Sequence, residues 1–202
     1  MSIINKVRLV EHLFAQLDKE IQTFQLQTKL DCGCGCGKCC NKTDIEASPL
    51  EFLPWSFQVY LNGKSDEVLA ELNSKQDSEC FLYNHLSIID KGVGNCSDYY
   101  YRGLICRLFG NSANKNKYGK SQLLTCRNIK ELYPEKYKQV SSDIENKKHI
   151  PVCTDYYMRL MQIDFNLGNI IVPINQAMKM AIEEVLNYYS YHPFDNDLRH
   201  SA

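Results

Sequence analysis

No stretch of this sequence stays apolar long enough to span a bilayer, which takes about 20 residues. Lys6, Arg8 and Glu11 interrupt the apolar pattern at the N-terminus, so no secretory h-region forms. The expectation is a cytoplasmic protein with no membrane association. Excess charge of either sign is missing too, with 23 Lys and Arg against 24 Asp and Glu. A chain this close to neutral has no electrostatic reason to bind a polyanion, and no nucleic-acid partner is expected. A phosphate-binding loop is also absent, because Gly92-Val93-Gly94 has no third glycine and no helix start at the required offset. Without a coherent acid-base set, the residues leave open whether the protein is an enzyme. Tryptophan occurs once against 13 tyrosines, an imbalance that carries no functional meaning.

Cysteine, by contrast, is abundant: ten occur in 202 residues, five of them between Cys32 and Cys40, in the run Cys-Gly-Cys-Gly-Cys-Gly-Lys-Cys-Cys. Thiolates this crowded are either oxidised in pairs or share a metal that offsets their mutual repulsion. The interleaved glycines favour a metal, since ligand loops turn sharply and let backbone amides approach the sulfurs. A reducing compartment favours it as well, although an even number of cysteines would also suit a disulfide framework. Adjacent Cys39 and Cys40 would point to opposite faces in extended backbone and so serve different neighbours. Cys80, Cys96, Cys106, Cys126 and Cys153 are scattered and reach the knuckle only through folding.

Three other residue types near these cysteines each have a functional and an ordinary role. Arg102 and Arg107 flank Cys106, where positive charge would lower a thiolate pKa; pairing with a carboxylate is the competing role. His85 lies near Cys80 and is capable of binding zinc, but with cysteine in surplus a loop histidine is expected. Cys153 precedes a helix start, whose amide dipoles stabilise a thiolate. A small buried residue is its simplest role. Tyr99 is expected in the core or against the ligands.

The pattern along the chain is mainly helical. Ile3, Val7, Val10, Phe14, Leu17, Ile21 and Phe24 recur in steps of four and three, with Ser2 as cap. This predicts one long amphipathic helix packed on the domain, with a dimer-forming coiled coil as the alternative. Ser48-Pro49-Leu50-Glu51 combines an N-cap, proline at the first helical position and glutamate at the third, predicting a helix from Pro49 to about Leu61. Trp55 and Phe57 belong to the core. Asn62-Gly63 turns the chain, and Ser65 caps a helix with Val68, Leu69 and Leu72. The stretches at Cys80–Tyr83 and before Cys96 suggest short extended pieces joined by a loop. The polar run from Asn111 to Gln122 suggests a surface loop or hairpin tip. Beyond Cys126 a helix restarts at Pro134, and Thr154 caps another running through Phe165 to Gly168. Pro173 opens the clearest helix, whose stripe runs from Ile174 to Tyr189. A polar, frayed tail follows from His192.

The order Cys96, Tyr99, Arg102, then Cys106-Arg107-Leu108-Phe109 resembles the YkgJ-type cysteine cluster proteins, described as zinc- or iron-chelating domains. The knuckle end Cys36-Gly37-Lys38-Cys39-Cys40 matches the family's Cys-x-x-Cys-Cys, Cys80-Phe81-Leu82 its cysteine-bearing strand, and Cys126 its further downstream cysteine. The resemblance spans about Cys32 to Cys126. Gly33 stands where the first knuckle cysteine is usual, so Cys32 or Cys34 substitutes, and Gly103 and Gly110 stand where proline is usual. The resemblance implies a metal set of Cys32, Cys36, Cys39, Cys40, Cys80, Cys96, Cys106 and Cys126. The family is also similar to the cysteine cluster of flagellin lysine methylases, which implies that an iron-sulfur cluster and a protein-modifying activity are both open.

The fold expected is mainly α with short extended segments. A long N-terminal helix (1–30), a cysteine cluster core (31–130), C-terminal amphipathic helices of the same domain (131–191) and a flexible tail (192–202) would form one small domain around the metal site. Zinc takes four tetrahedral ligands, so eight thiols serve two sites or a binuclear one. A [4Fe-4S] cluster takes four thiolates and leaves the others structural or serving a second cluster. Three functions follow: a structural or redox-sensing metal centre, a cluster-dependent protein-modifying enzyme, or a metal-stapled module that binds another protein.

Overall fold

The computed structural model describes residues 1–30, 36–74, 79–87, 93–145 and 149–192. Helix α1 spans Ile3–Thr28, opened by the Ser2 hydroxyl, which accepts from the Asn5 amide, and closed at Lys29, whose left-handed backbone (φ 55°) lets its amide donate back to the Gln25 carbonyl. All seven seam residues are buried within the chain. The seam lies against the helix Leu53–Leu61 and the helix Cys153–Ile163, described below, so it forms core. Burial of a side chain of this size stabilises by about 1.5–3 kcal/mol.

After the knuckle the chain forms β1 (Glu46–Ala47), a 3-10 turn (Pro49–Phe52) and α2 (Leu53–Leu61), so the helix expected from Pro49 to Leu61 is present with a tighter first turn. Gly63, at φ 68°, reverses the chain into α3 (Ser65–Ser74). Strands β2 (Tyr83–His85) and β3 (Gly94–Cys96) pair antiparallel with Tyr83 opposite Cys96. Helix α4 (Leu104–Leu108) carries Cys106 and Arg107. The polar run is a hairpin of β4 (Ser112–Lys115) and β5 (Ser121–Leu124). Then come α5 (Arg127–Leu132) and α6 (Pro134–Glu145).

Helix α7 (Cys153–Ile163) starts one residue before Thr154 and stops at Asp164, whose extended backbone and side chain cap a separate short helix, α8 (Phe165–Gly168). The single helix expected here is therefore two, because Asp164 takes the cap of the second by accepting from the Leu167 amide at 3.1 Å. Strand β6 (Val172–Pro173) pairs with β1, and α9 (Ile174–Tyr191) buries Ile174, Ala177, Met178, Ala181, Ile182 and Val185 against α2 and the 3-10 turn. The fold is mainly helical, with a long N-terminal helix. Among the described residues no helix is long and apolar enough to cross a membrane. Of the expected tail only His192 is described, stacked on Tyr188; residues 193–202 lie outside the described residues.

Candidate metal centre

The knuckle turns on Gly37, whose φ of 51° and close approach to the Tyr83 ring, 2.7 Å from where a Cβ would stand, exclude other residues. The Cys40 and Asn41 amides both donate to the Gly37 carbonyl, at 2.9 and 3.0 Å, so the backbone is coiled here. Cys39 and Cys40 consequently face the same way, with sulfurs 3.8 Å apart. The opposite-faces expectation fails because it assumed extended backbone. The knuckle is pinned to its surroundings at two points: Cys36 bridges to Gly94 on β3, and the Cys80 amide donates to the Cys40 carbonyl at 3.3 Å.

Cys39, Cys40, Cys80 and Cys106 line one cavity of about 330 Å³. Ile45, Ile105, Phe109 and Ile174 supply its apolar wall, and Lys42, Asp44 and Glu46 its exposed charged side chains. Cys96 stands nearby at the end of β3, close enough for its charge to be felt at Cys80 and Cys106. All eight described cysteines are free thiols.

Crowding and burial govern how these thiols ionise. The Cys40 thiol donates to Cys39, which holds Cys39 below the ordinary cysteine range, with Lys42 assisting. Cys40 is pushed up by that same bond, by burial and by the sulfurs of Cys39, Cys106 and Cys80. Burial first, then Cys96 and Cys39, push Cys80 up to about 12. Cys106 is raised by burial, then by Cys80, Glu51 and Cys39. Burial also raises Cys96, against which Arg102 acts. A single cation among these sulfurs would relieve every one of these penalties. The soft donor set fits zinc or iron. Among the described residues no three His, Cys, Asp or Glu side chains already stand in coordinating positions, so these thiols would have to close on the ion.

The remaining expected ligands are not among the side chains that line this cavity. Cys36 accepts from the Asn128 amide nitrogen at 3.7 Å. Cys126 is the N-cap of α5, its sulfur accepting from the Ile129 amide at 3.4 Å. Cys32, and its alternative Cys34, lie outside the described residues. Cys153 is buried in the α1 core, where burial and the Glu51 carboxylate push it up to about 11. The helix dipole does not make it a thiolate. His85 pairs with Glu79 at the surface.

Arg107 takes the carboxylate-pairing role, but in the interior. It is 5% exposed, ion-paired with Asp18 on α1, bonded to the Arg102 and Tyr100 carbonyls, and 4.6 Å over the Phe14 ring. It thereby ties the Cys96–Cys106 loop to α1. Tyr99, at 65% exposed, is at the surface beneath Arg102. The core expectation for it fails because the 3-10 turn Tyr99–Tyr101 turns the Tyr99 and Tyr100 rings outward and sends only Tyr101 toward the core.

One residue escaped the sequence reading. Glu51 was legible as a capping glutamate, and its Oε1 does accept from the Ser48 amide at 2.9 Å. Its Oε2 accepts from the Ile105 amide, also at 2.9 Å. No local signal announces a contact 54 residues away.

Residues 31–127 match the family model CxxCxxCC, described as a "putative zinc- or iron-chelating domain". No curated protein and no solved structure matches the chain.

Proposed function

With residues 31–127 a member of the CxxCxxCC zinc- or iron-chelating family, we propose that the protein holds a thiolate-bound metal centre with a structural or redox-sensing role, built on Cys39, Cys40, Cys80 and Cys106. The observation that carries this reading is that four thiols from three separate stretches of chain line one cavity. Nothing in ordinary core packing calls for such a gathering, since each raised thiol there costs its neighbours stability when it ionises. Cys96 is the reserve ligand, within electrostatic reach of the others.

Four thiolates suit either one tetrahedral zinc or one [4Fe-4S] cluster, and the cluster is the occupant put to the test. Such a cluster would supply one-electron redox chemistry. The chain's own contribution is to hold the sulfurs, exclude bulk water with Ile105, Phe109 and Ile174, and fix the Cys106 helix. A reducing, cytoplasmic setting is part of the proposal, because the thiols must stay free.

Anaerobic purification with metal analysis and an absorption spectrum tests it. Brown, oxygen-sensitive protein with iron and sulfide is the expected result. Colourless protein with one tightly held zinc would replace the cluster by a structural zinc site, and protein that takes up neither metal would end the reading.

A further inference from the structure

Asn175 stands in the first turn of α9 and is 2% exposed. A side-chain amide buried this deeply destabilises the fold unless both its ends are bonded. Both are, and neither partner belongs to α9: Oδ1 accepts from the Phe81 amide at 2.8 Å and Nδ2 donates to the Glu79 carbonyl at 3.0 Å, 94 and 96 residues away. Asparagine at a helix start commonly bonds backbone within a few residues; this one reaches across the fold. The residue between its two partners is Cys80. The Cys80 amide donates to the Cys40 carbonyl at 3.3 Å, and the Cys80 carbonyl accepts from the Tyr83 amide at 2.8 Å. One side chain thus grips the backbone on either side of this thiol, while the thiol's own peptide groups are tied to the knuckle and to β2. The same turn of α9 braces another part of the cavity wall, since the Ile174 amide donates to the Ile45 carbonyl at 2.9 Å and both isoleucines line the cavity.

We infer that Asn175 is a positioning residue for the metal centre: its amide fixes Glu79 and Phe81 and thereby aims the Cys80 thiol into the cavity. A carbonyl and an N–H two residues apart need an acceptor and a donor side by side, which is what a carboxamide carries. The family-matched segment ends at residue 127, so the working centre reaches past it and includes the first turn of α9. This rests on Cys80 being a ligand, as proposed above.

The test uses the full chain loaded with Co(II), whose thiolate-to-metal absorption bands report how the sulfurs are arranged. Asn175→Ala removes both bonds. Val185→Ala, a buried change further along the same helix, is the control for lost stability alone. Asn175→Ala is expected to shift and weaken the bands and to speed release to a chelator about tenfold, a loss of roughly 1.4 kcal/mol. Val185→Ala should lower the thermal midpoint of the metal-free chain while leaving the bands in place and release within about twofold. Asn175→Asp, which keeps the volume and the acceptor toward Phe81, takes the place of Asn175→Ala should that variant not fold. Hydrogen exchange on the unmodified, metal-free chain needs no variant at all: the Phe81 amide should be protected like the amides inside α9, and exchange there at the rate of an open loop overturns the inference. Unchanged bands and release in the Asn175 variant, or equal changes in it and in Val185→Ala, overturn the inference and leave the metal centre standing. An unmodified chain that shows no thiolate bands ends the metal-centre reading, and the inference falls with it.

Discussion

Cys106 and Cys126 are twenty residues apart in a chain rich in cysteine, and they hold opposite kinds of place. Cys106 faces a cavity shared with three other thiols, while Cys126 has its sulfur occupied by the Ile129 amide at the start of α5. Cys39 and Cys153 form a second such pair, the one crowded at 3.8 Å from Cys40 and the other packed alone in the α1 core. What separates the members of each pair is neighbours. A sulfur with a backbone donor or apolar packing has a complete role without any ligand, whereas sulfurs gathered without a cation repel one another on ionisation.

The largest effect should come from breaking the shared group. Cys39→Ser or Cys106→Ser is expected to lose bound metal and much of the fold, since binding energy at a thiolate centre is also folding energy. Metal content and urea unfolding of the purified variants check this. Equal loss from Cys153→Ala would erase the contrast.

Next in size is the clamp that keeps the Cys106 loop on α1. Arg107→Ala removes the nearer of the two arginines paired with Asp18, leaving Arg102 at 3.7 Å, and takes this donor from the Tyr100 and Arg102 carbonyls. A loss of about 3 kcal/mol is expected, at the low end for a broken buried pair because Asp18 is half-exposed. A midpoint shift in denaturant of the metal-free chain reads it.

The pH dependence sharpens the same contrast. Cys80, Cys106 and Cys96 have folded values above the ordinary cysteine value, so their contribution to stability is complete below about pH 8.5 and is lost as pH rises through the folded values. Metal-free protein should lose roughly 2 kcal/mol by pH 10 through Cys80. Loaded protein should show the reverse slope over the neutral range, because its ligands are already deprotonated and acid competes for them. Parallel slopes with and without metal would show that these thiols are not the ligands.

The smallest effects belong to the housed sulfurs. Serine is a better N-cap than cysteine, so Cys126→Ser should keep full metal content and hold stability within about 0.5 kcal/mol. Cys153→Ala should cost about 1 kcal/mol and leave metal untouched. Loss of metal from Cys126→Ser would instead place that sulfur among the ligands.

Much of the fold was legible because its causes are local. The seam from Ile3 to Phe24, the Ser48-Pro49-Leu50-Glu51 start, the Gly63 turn and the stripe on α9 each act within a few residues. The break at Asp164 was not, because Thr154 to Gly168 carries one continuous apolar pattern and only the side-chain cap at Leu167 divides it.

The sequence by itself determined that thiols would dominate this protein's chemistry, that the chain would be mostly helical, and that its middle segment would match the model of a zinc- or iron-chelating domain. Only the tertiary structure decided which sulfurs meet. Spacing cannot tell Cys106 from Cys126, since each is one cysteine in or beside a short helix. The difference lies in what the fold sets against them: three other sulfurs around the first, an amide of its own helix against the second. The role of Glu51 was decided in the same way. Its inner oxygen bonds a residue far along the chain, and a bond between distant segments leaves no periodic trace in the sequence.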